Sequence, residues 1–339
     1  MSMRWRDAMD RALYGPGGFF VSGAGPAAHF RTSVHASPVF ASALLRLVER
    51  VDAALGHPPV LSVVDVGAGR GELLRSLALG VAGALAAAPV PLASRVRLVA
   101  VEKAPRPVDL PPGIEWVDEI PTGITGLLVA TEWLDNVPLD VAVRTRDGWR
   151  YLLVDPATGQ ETVGDPVDAV DAGWLDTWWP DSSPIDALAE IGRPRDEAWA
   201  DAVGRIDRGL ALAVDYGHLR AERPFDATLT GYRGGRQVAP VPDGSCDVTA
   251  HVAMDSAASA GGRAARCAYS LVSQREALRA LGADGGRPPL SLATRDPAGY
   301  LRALAGASSV AELTDPVGLG GHWWLRQPVG VDPAAFMAR

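Results

Sequence analysis

Apolar residues follow two rhythms along the 339-residue chain, and each rhythm selects an element. Phe40, Leu44, Leu47, Val48 and Val51 recur at three- and four-residue steps after Ser37-Pro38, which predicts a helix with one buried face, ending at Gly56-His57-Pro58-Pro59. Residues 60–66 form instead a short run dominated by β-branched side chains, as expected of a strand covered on both faces of a parallel sheet. A glycine-rich turn follows at once, and helical spacing returns over 72–79. Further strands are predicted at 96–101, 114–117, 126–131 and 210–217. Asp65, Glu102, Asp118 and Glu132 stand at the ends of four successive strands and Asp215 at the end of a later one, on the edge where open α/β sheets bind ligands.

Other stretches break the alternation of strand and helix. Residues 141–154 are two alternating segments around Asp147-Gly148, a hairpin signal. Residues 159–207 carry Trp174, Trp178, Trp179 and Trp199 and predict an inserted helical cap, its tryptophans serving as core or interface rather than as a cage for a methylated ligand. A helix at 274–281 and a strand at 322–325 close the pattern. The fold class expected is α/β: one domain over 1–339 with a Rossmann-like sheet and helices on both faces. Within it, 1–36 is an N-terminal lid opening with a short surface helix, 37–158 and 208–339 form the core, and 159–207 form the cap.

The most specific chemical signal is Asp65-Val66-Gly67-Ala68-Gly69-Arg70-Gly71. Its glycines let backbone approach a ligand closely, and the helix beyond offers free N–H groups. A dinucleotide fingerprint places its third glycine one residue later, and Asp65 would repel a pyrophosphate. The same acid would pair with the ammonium of an amino-acid moiety, such as the methionine part of S-adenosylmethionine. Asp65, Gly67, Ala68 and Gly69 are therefore candidate cofactor contacts. Glu102 is placed to accept both ribose hydroxyls, against the alternative of a solvated acid beside Lys103. Asp118 suits the adenine amino group or is simply an exposed loop acid. Glu132 and Asp135, three residues apart, could grip a guanidinium or amine and take a proton, or could be acids favoured by a helix start. Asp215 either lines the same cleft or caps a turn.

Composition narrows the partners. A formal charge of −8, with no basic stripe, argues against nucleic acid. Cys246 and Cys267 are far apart and the six histidines do not cluster, so neither a disulfide framework nor a metal site is expected, and a reducing cytoplasm fits. The most apolar stretch, 73–93, is interrupted by Arg75 and by glycine and proline, so no membrane insertion is expected.

With these residues in view, the chain resembles the MidA-type methyltransferases, a family that includes a mitochondrial complex I assembly factor that dimethylates an arginine. The resemblance runs through Tyr14-Gly15, Gly18-Phe19-Phe20 and Phe30-Arg31-Thr32-Ser33, then the glycine loop, Val101-Glu102, and Glu132 with Asp135 and Pro138. It continues through Asp215-Tyr216-Gly217, Thr228-Leu229 with Tyr232, 247–252, Ser273-Gln274 and Leu319-Gly320. It implies a class I fold, S-adenosyl-L-methionine at the glycine loop with Thr32 and Ser33 nearby, and Glu132, Asp135 and Asp215 as the catalytic acids. It further implies a protein-arginine acceptor, such as a respiratory complex subunit, and leaves a homodimer open. Ala28-His29, Thr131 and Gly234-Gly235 depart from the family pattern, which keeps a catalytically weak assembly or scaffold protein as the rival. A nicotinamide dehydrogenase is disfavoured by Asp65.

Overall fold

The computed structural model describes residues 1–21, 33–36, 38–83, 90–180, 183–283 and 285–337. Its centre is a sheet of seven strands: β1 (Leu61–Val66), β2 (Val96–Val101), β3 (Ile114–Val117), β4 (Ile124–Thr131), β5 (Ile206–Asp215), β6 (Ser270–Ser273) and β7 (Trp323–Val329). They lie in the order 3-2-1-4-5-7-6. The first five are mutually parallel, and β7 runs antiparallel to both β5 and β6. This is the Rossmann-like sheet of a class I methyltransferase, with the antiparallel β7 slipped between the fifth and sixth strands.

Side chains along each strand alternate between the two faces, and helices cover both. Val63, Leu98, Leu127 and Leu212 face one layer, packed by α2 (Pro38–Ala54) and α3 (Glu72–Gly83). Val64, Val99, Leu128 and Ala211 face the other, packed by α4 (Arg193–Gly204) and α5 (Met254–Ala265). Both faces are dry, which is why the strands read as unbroken apolar runs.

Register makes the edge that matters. Val66 pairs with Val101 and with Ala130, Val101 with Val117, and Ala130 with Ala213. The C-terminal ends of β1 to β5 are therefore level, and the loops that follow them open side by side.

The helical cap expected over 159–207 is a mixed structure. The strands Glu161–Pro166 and Leu188–Ile191 join the hairpin Asp140–Thr145/Gly148–Val154 and Met3–Arg4 in a five-stranded antiparallel sheet. Glu161–Pro166 is a largely exposed edge containing glycine and proline, so it lacks the alternation that would mark it as a strand. The helix Ala169–Trp178 lays Trp174 and Leu175 on one face of this sheet, with Trp179 beside them. α4 does not belong with it: Trp199, Ala202 and Val203 are core under the main sheet. α1 (Trp5–Tyr14) is not a surface helix in the simple sense either. Trp5, Ala8, Met9, Ala12 and Leu13 bury one complete stripe, while its arginines and aspartates face out. Among the described residues no helix is long and apolar enough to cross a membrane.

Candidate active site

Gly67, Gly69 and Gly71 carry the chain from β1 into α3 with φ of 72°, 58° and 81°, backbone that a side chain makes costly. Space is closed as well: a Cβ on Gly71 would lie 2.6 Å from Leu110 Cδ1, and one on Gly67 would lie 3.0 Å from Trp133 Cδ1. The loop thus presents bare backbone to a cavity of about 380 Å³, a volume in the range of small-ligand sites. Asp65, Gly67, Ala68, Gly69, Glu102, Asp118 and Glu132 all line it. Its length follows the strand order, from Asp118 after β3, past Glu102 and the glycine loop, to Glu132 after β4.

Glu102 is held at the middle of this cleft. One carboxylate oxygen accepts the Gly69 N–H at 2.9 Å, and the other accepts those of Lys103 and Ala104 at 2.7 and 3.2 Å. Burial pushes its carboxyl up, and those N–H groups only partly restrain it. Asp65, buried beneath the loop, is pushed well above the ordinary range by burial and then by the neighbouring Glu72 and Glu102. Asp118 stands exposed at the far rim.

Glu132 sits at φ 51°, a left-handed backbone that few side chains adopt. Its own N–H donates to the Val214 carbonyl at 2.8 Å, and its carboxylate accepts the Ser33 N–H at 2.9 Å. Burial drives this carboxyl up to about 8. Ser33 reaches the site through Glu132 and is not part of the cavity wall; Thr32 lies outside the described residues.

Asp135 and Asp215 also lie behind the wall. Asp215 accepts the N–H groups of Leu134 and Asp135 at 3.0 and 3.3 Å on one oxygen and that of Tyr216 at 3.0 Å on the other. It caps the tight turn Leu134–Asn136, so the turn-capping alternative describes it and the catalytic one does not. Asp135 accepts the Thr249 hydroxyl at 2.6 Å and the Tyr216 hydroxyl. It acts on the site only through the turn it belongs to, because a carboxylate facing two hydroxyls there faces away from the cleft.

Several lining residues were not assigned to the site from the sequence. Tyr14 and Phe20 stack at 5.6 Å between ring centres and close one side, and Thr131, Trp133 and Asn136 line the β4 end. The Thr131 hydroxyl is buried with no partner among the described residues. Behind them, Arg195 on α4 is fully buried and donates to the carbonyls of Val137, Ala250, His251 and Asp135. Asp65, Glu102, Glu132, Asp135, Asp215 and Asp247 are all pushed upward by burial. Arg195 is the buried cation facing Asp135 and Asp215, and its N–H groups are spent on carbonyls. Such a cleft favours a positively charged occupant. A sulfonium nucleoside with an ammonium group fits it in volume and in charge. Among the described residues no cluster of His, Cys, Asp or Glu could hold a metal ion.

Residues 41–271 match the family model described as "Putative S-adenosyl-L-methionine-dependent methyltransferase". The chain belongs to this family. Over 177 residues it is 30% identical to "Protein arginine methyltransferase NDUFAF7, mitochondrial" of Xenopus tropicalis, a match covering 50% of this chain and 39% of that protein. The chain therefore spans well under two thirds of the curated relative it matches. A Burkholderia thailandensis protein crystallised with S-adenosyl-homocysteine is similar in fold, with a TM-score of 0.80 at 23% identity, covering 99% of this chain and 90% of that one. A native crystal structure from the same organism gives 0.78 at 24% identity, covering 98% and 88%. The resemblance to the MidA-type methyltransferases holds, and S-adenosyl-L-methionine is the cofactor of the family to which the chain belongs.

Proposed function

We propose that this chain transfers a methyl group from S-adenosyl-L-methionine to a guanidinium nitrogen of a protein arginine. The observation that carries the reading is Glu132, a carboxyl set by left-handed backbone at the cleft end after β4 and pushed up to about 8. A base with a proton affinity near the working pH suits removal of a proton from a nitrogen that is cationic before it reacts. The relative named as a protein arginine methyltransferase supports the same acceptor class.

When bound, the cofactor supplies an electrophilic methyl group on a sulfonium. Asp65 takes the ammonium of its amino-acid part, Glu102 the ribose hydroxyls, and Asp118 the adenine side. The glycine loop allows close approach without a clashing side chain. Glu132 orients the acceptor nitrogen and accepts its proton as the N–C bond forms and the C–S bond breaks. Asp135 and Asp215 hold the turn from which this end of the cleft is built.

The test uses methyl-labelled cofactor with the protein and a cell lysate, followed by amino-acid analysis of the labelled product. Methylarginine that depends on Glu132, being lost in Glu132→Ala, is the expected outcome. Label on a different residue type removes the acceptor assignment. No label, with S-adenosylhomocysteine still binding by calorimetry, favours a cofactor-binding scaffold.

A further inference from the structure

Asn136 brings a second hydrogen-bond acceptor to the end of the cleft that holds Glu132. Its Nδ2 donates to Asp247 Oδ1 at 2.7 Å and lies 3.4 Å from the Val248 carbonyl oxygen. A backbone carbonyl can only accept, so the amide nitrogen must face this pair and the amide oxygen must face away from it. Asn136 lines the cavity, and its Oδ1 takes no hydrogen bond from the described residues. With Nδ2 turned to Asp247 and Val248, Oδ1 is the amide atom left toward the cavity that Asn136 lines.

The orientation is built in. Asp247 is 1% exposed on the strand Asp247–Thr249, and the same strand supplies Thr249 to Asp135. Ala250 donates its N–H to the Asp135 carbonyl at 3.2 Å, which binds this strand's end to the turn carrying Asn136. On the other flank, Tyr14 donates its hydroxyl to the Asn136 backbone carbonyl at 3.3 Å. A neutral amide turned by a buried carboxylate presents a fixed acceptor beside an ionisable one.

We infer that Asn136 is a specificity-determining residue: its Oδ1, fixed by Asp247, accepts one N–H of the methyl acceptor while Glu132 takes another. This rests on the methyltransferase reading above and deepens it. An acceptor nitrogen with two N–H groups satisfies both oxygens. A hydroxyl or thiol has one hydrogen and leaves one of the two unpaired in a desolvated place, which is how a polar site rejects the wrong substrate. Asp247 touches no substrate and is a positioning residue.

Sinefungin tests this without knowledge of the acceptor, because an amine-bearing carbon replaces the methyl-bearing sulfur and puts a cationic N–H donor where the methyl would lie. Calorimetry on the full chain compares it with S-adenosylhomocysteine, which lacks that donor. Sinefungin should bind about tenfold tighter than S-adenosylhomocysteine, the scale of a hydrogen bond to a charged group. Asn136→Leu should lower the ratio several-fold, Glu132 still facing the ammonium, while the affinity for S-adenosylhomocysteine moves far less. Asn136→Ser keeps a hydroxyl to donate to Asp247, guards against a folding defect, and should do the same. A ratio of one in the wild type, or a ratio that neither variant moves while S-adenosylhomocysteine still binds, overturns this inference alone. Absence of S-adenosylhomocysteine binding in the wild type overturns the cofactor reading together with it.

Discussion

Glu132 occupies a backbone conformation its own side chain opposes, at a cost of about 1–2 kcal/mol. The hydrogen bonds from its N–H to Val214 and from Ser33 to its carboxylate offset that cost and hold the group at the cleft. Below about pH 8 the ligand-free carboxyl carries its proton, and only the carboxylate can accept another. The value of kcat/KM at limiting acceptor should therefore rise with pH to a plateau. Its midpoint should lie at or below 8, because a bound sulfonium favours the carboxylate. Glu132→Gln should lower kcat by about 10²–10⁴-fold and abolish that rising limb. A limb that survives in the glutamine variant would assign the proton to another group. The sequence shows that acids end the strands, but not which of them face the cleft. Asp65, Glu102 and Glu132 line the cleft, whereas Asp215 in an equivalent position lies behind its wall, turned to the backbone N–H groups of Leu134 and Asp135. That distinction depends on the turn after β4, whose geometry no local pattern encodes. Asn136 was hidden for the same reason, since its partner Asp247 lies 111 positions away.

At the scale of elements, Arg195 ties α4 to the loops at the cleft. Its guanidinium reaches the carbonyl of Asp135 within the turn Leu134–Asn136, that of Val137 just after it, and two more at Ala250 and His251. A lysine offers a single point charge with three donors in place of that planar fork. Arg195→Lys should cost about 3 kcal/mol, as breaking a buried charged network does. In thermal unfolding of a chain this long that is a drop in Tm of roughly 4 °C. A drop of a degree or less would show that the loops hold without it. The legible elements are those whose pattern is local: β2 and β3 have the bounds expected of their β-branched runs. The antiparallel sheet was not legible as a sheet. Its strands are short, Met3–Arg4 pairs far along the chain with Val154 and Leu153, and Glu161–Pro166 is an exposed edge. α4 was assigned to the cap because its tryptophan resembles those before it in sequence; only packing separates Trp199 from Trp174.

Across the whole molecule, the acids of the cleft couple its ligand to its stability. The chain carries a formal charge of −8, and six carboxyls pushed upward lie at or just behind one edge of the main sheet. Each binds its proton more tightly in the folded chain than in the unfolded one, so folding takes up protons there. The corresponding stability is complete below the unfolded carboxyl range and is lost as pH rises through the folded values. For Glu132 the window runs from 4.5 to about 8. Asp52, Asp155 and Asp168 are shifted the opposite way below the ordinary aspartate range, and burial lowers His218, His251 and His322, which adds stability as pH rises only up to the ordinary histidine value of 6.5. The Tm of the ligand-free protein should therefore fall as pH rises from 6.5 to 8, above the histidine range. Glu132→Gln should fall less over the same interval, since an amide has no proton to lose. Saturating sinefungin should also flatten the curve, because its ammonium groups favour the carboxylates that folding otherwise has to keep protonated. Differential scanning calorimetry at several pH values, with and without the ligand, measures all three curves. A ligand-free Tm that is level or rising from pH 6.5 to 8 would mean these acids are already ionised in the empty cleft, and that the cleft does not depend on a cation to balance them.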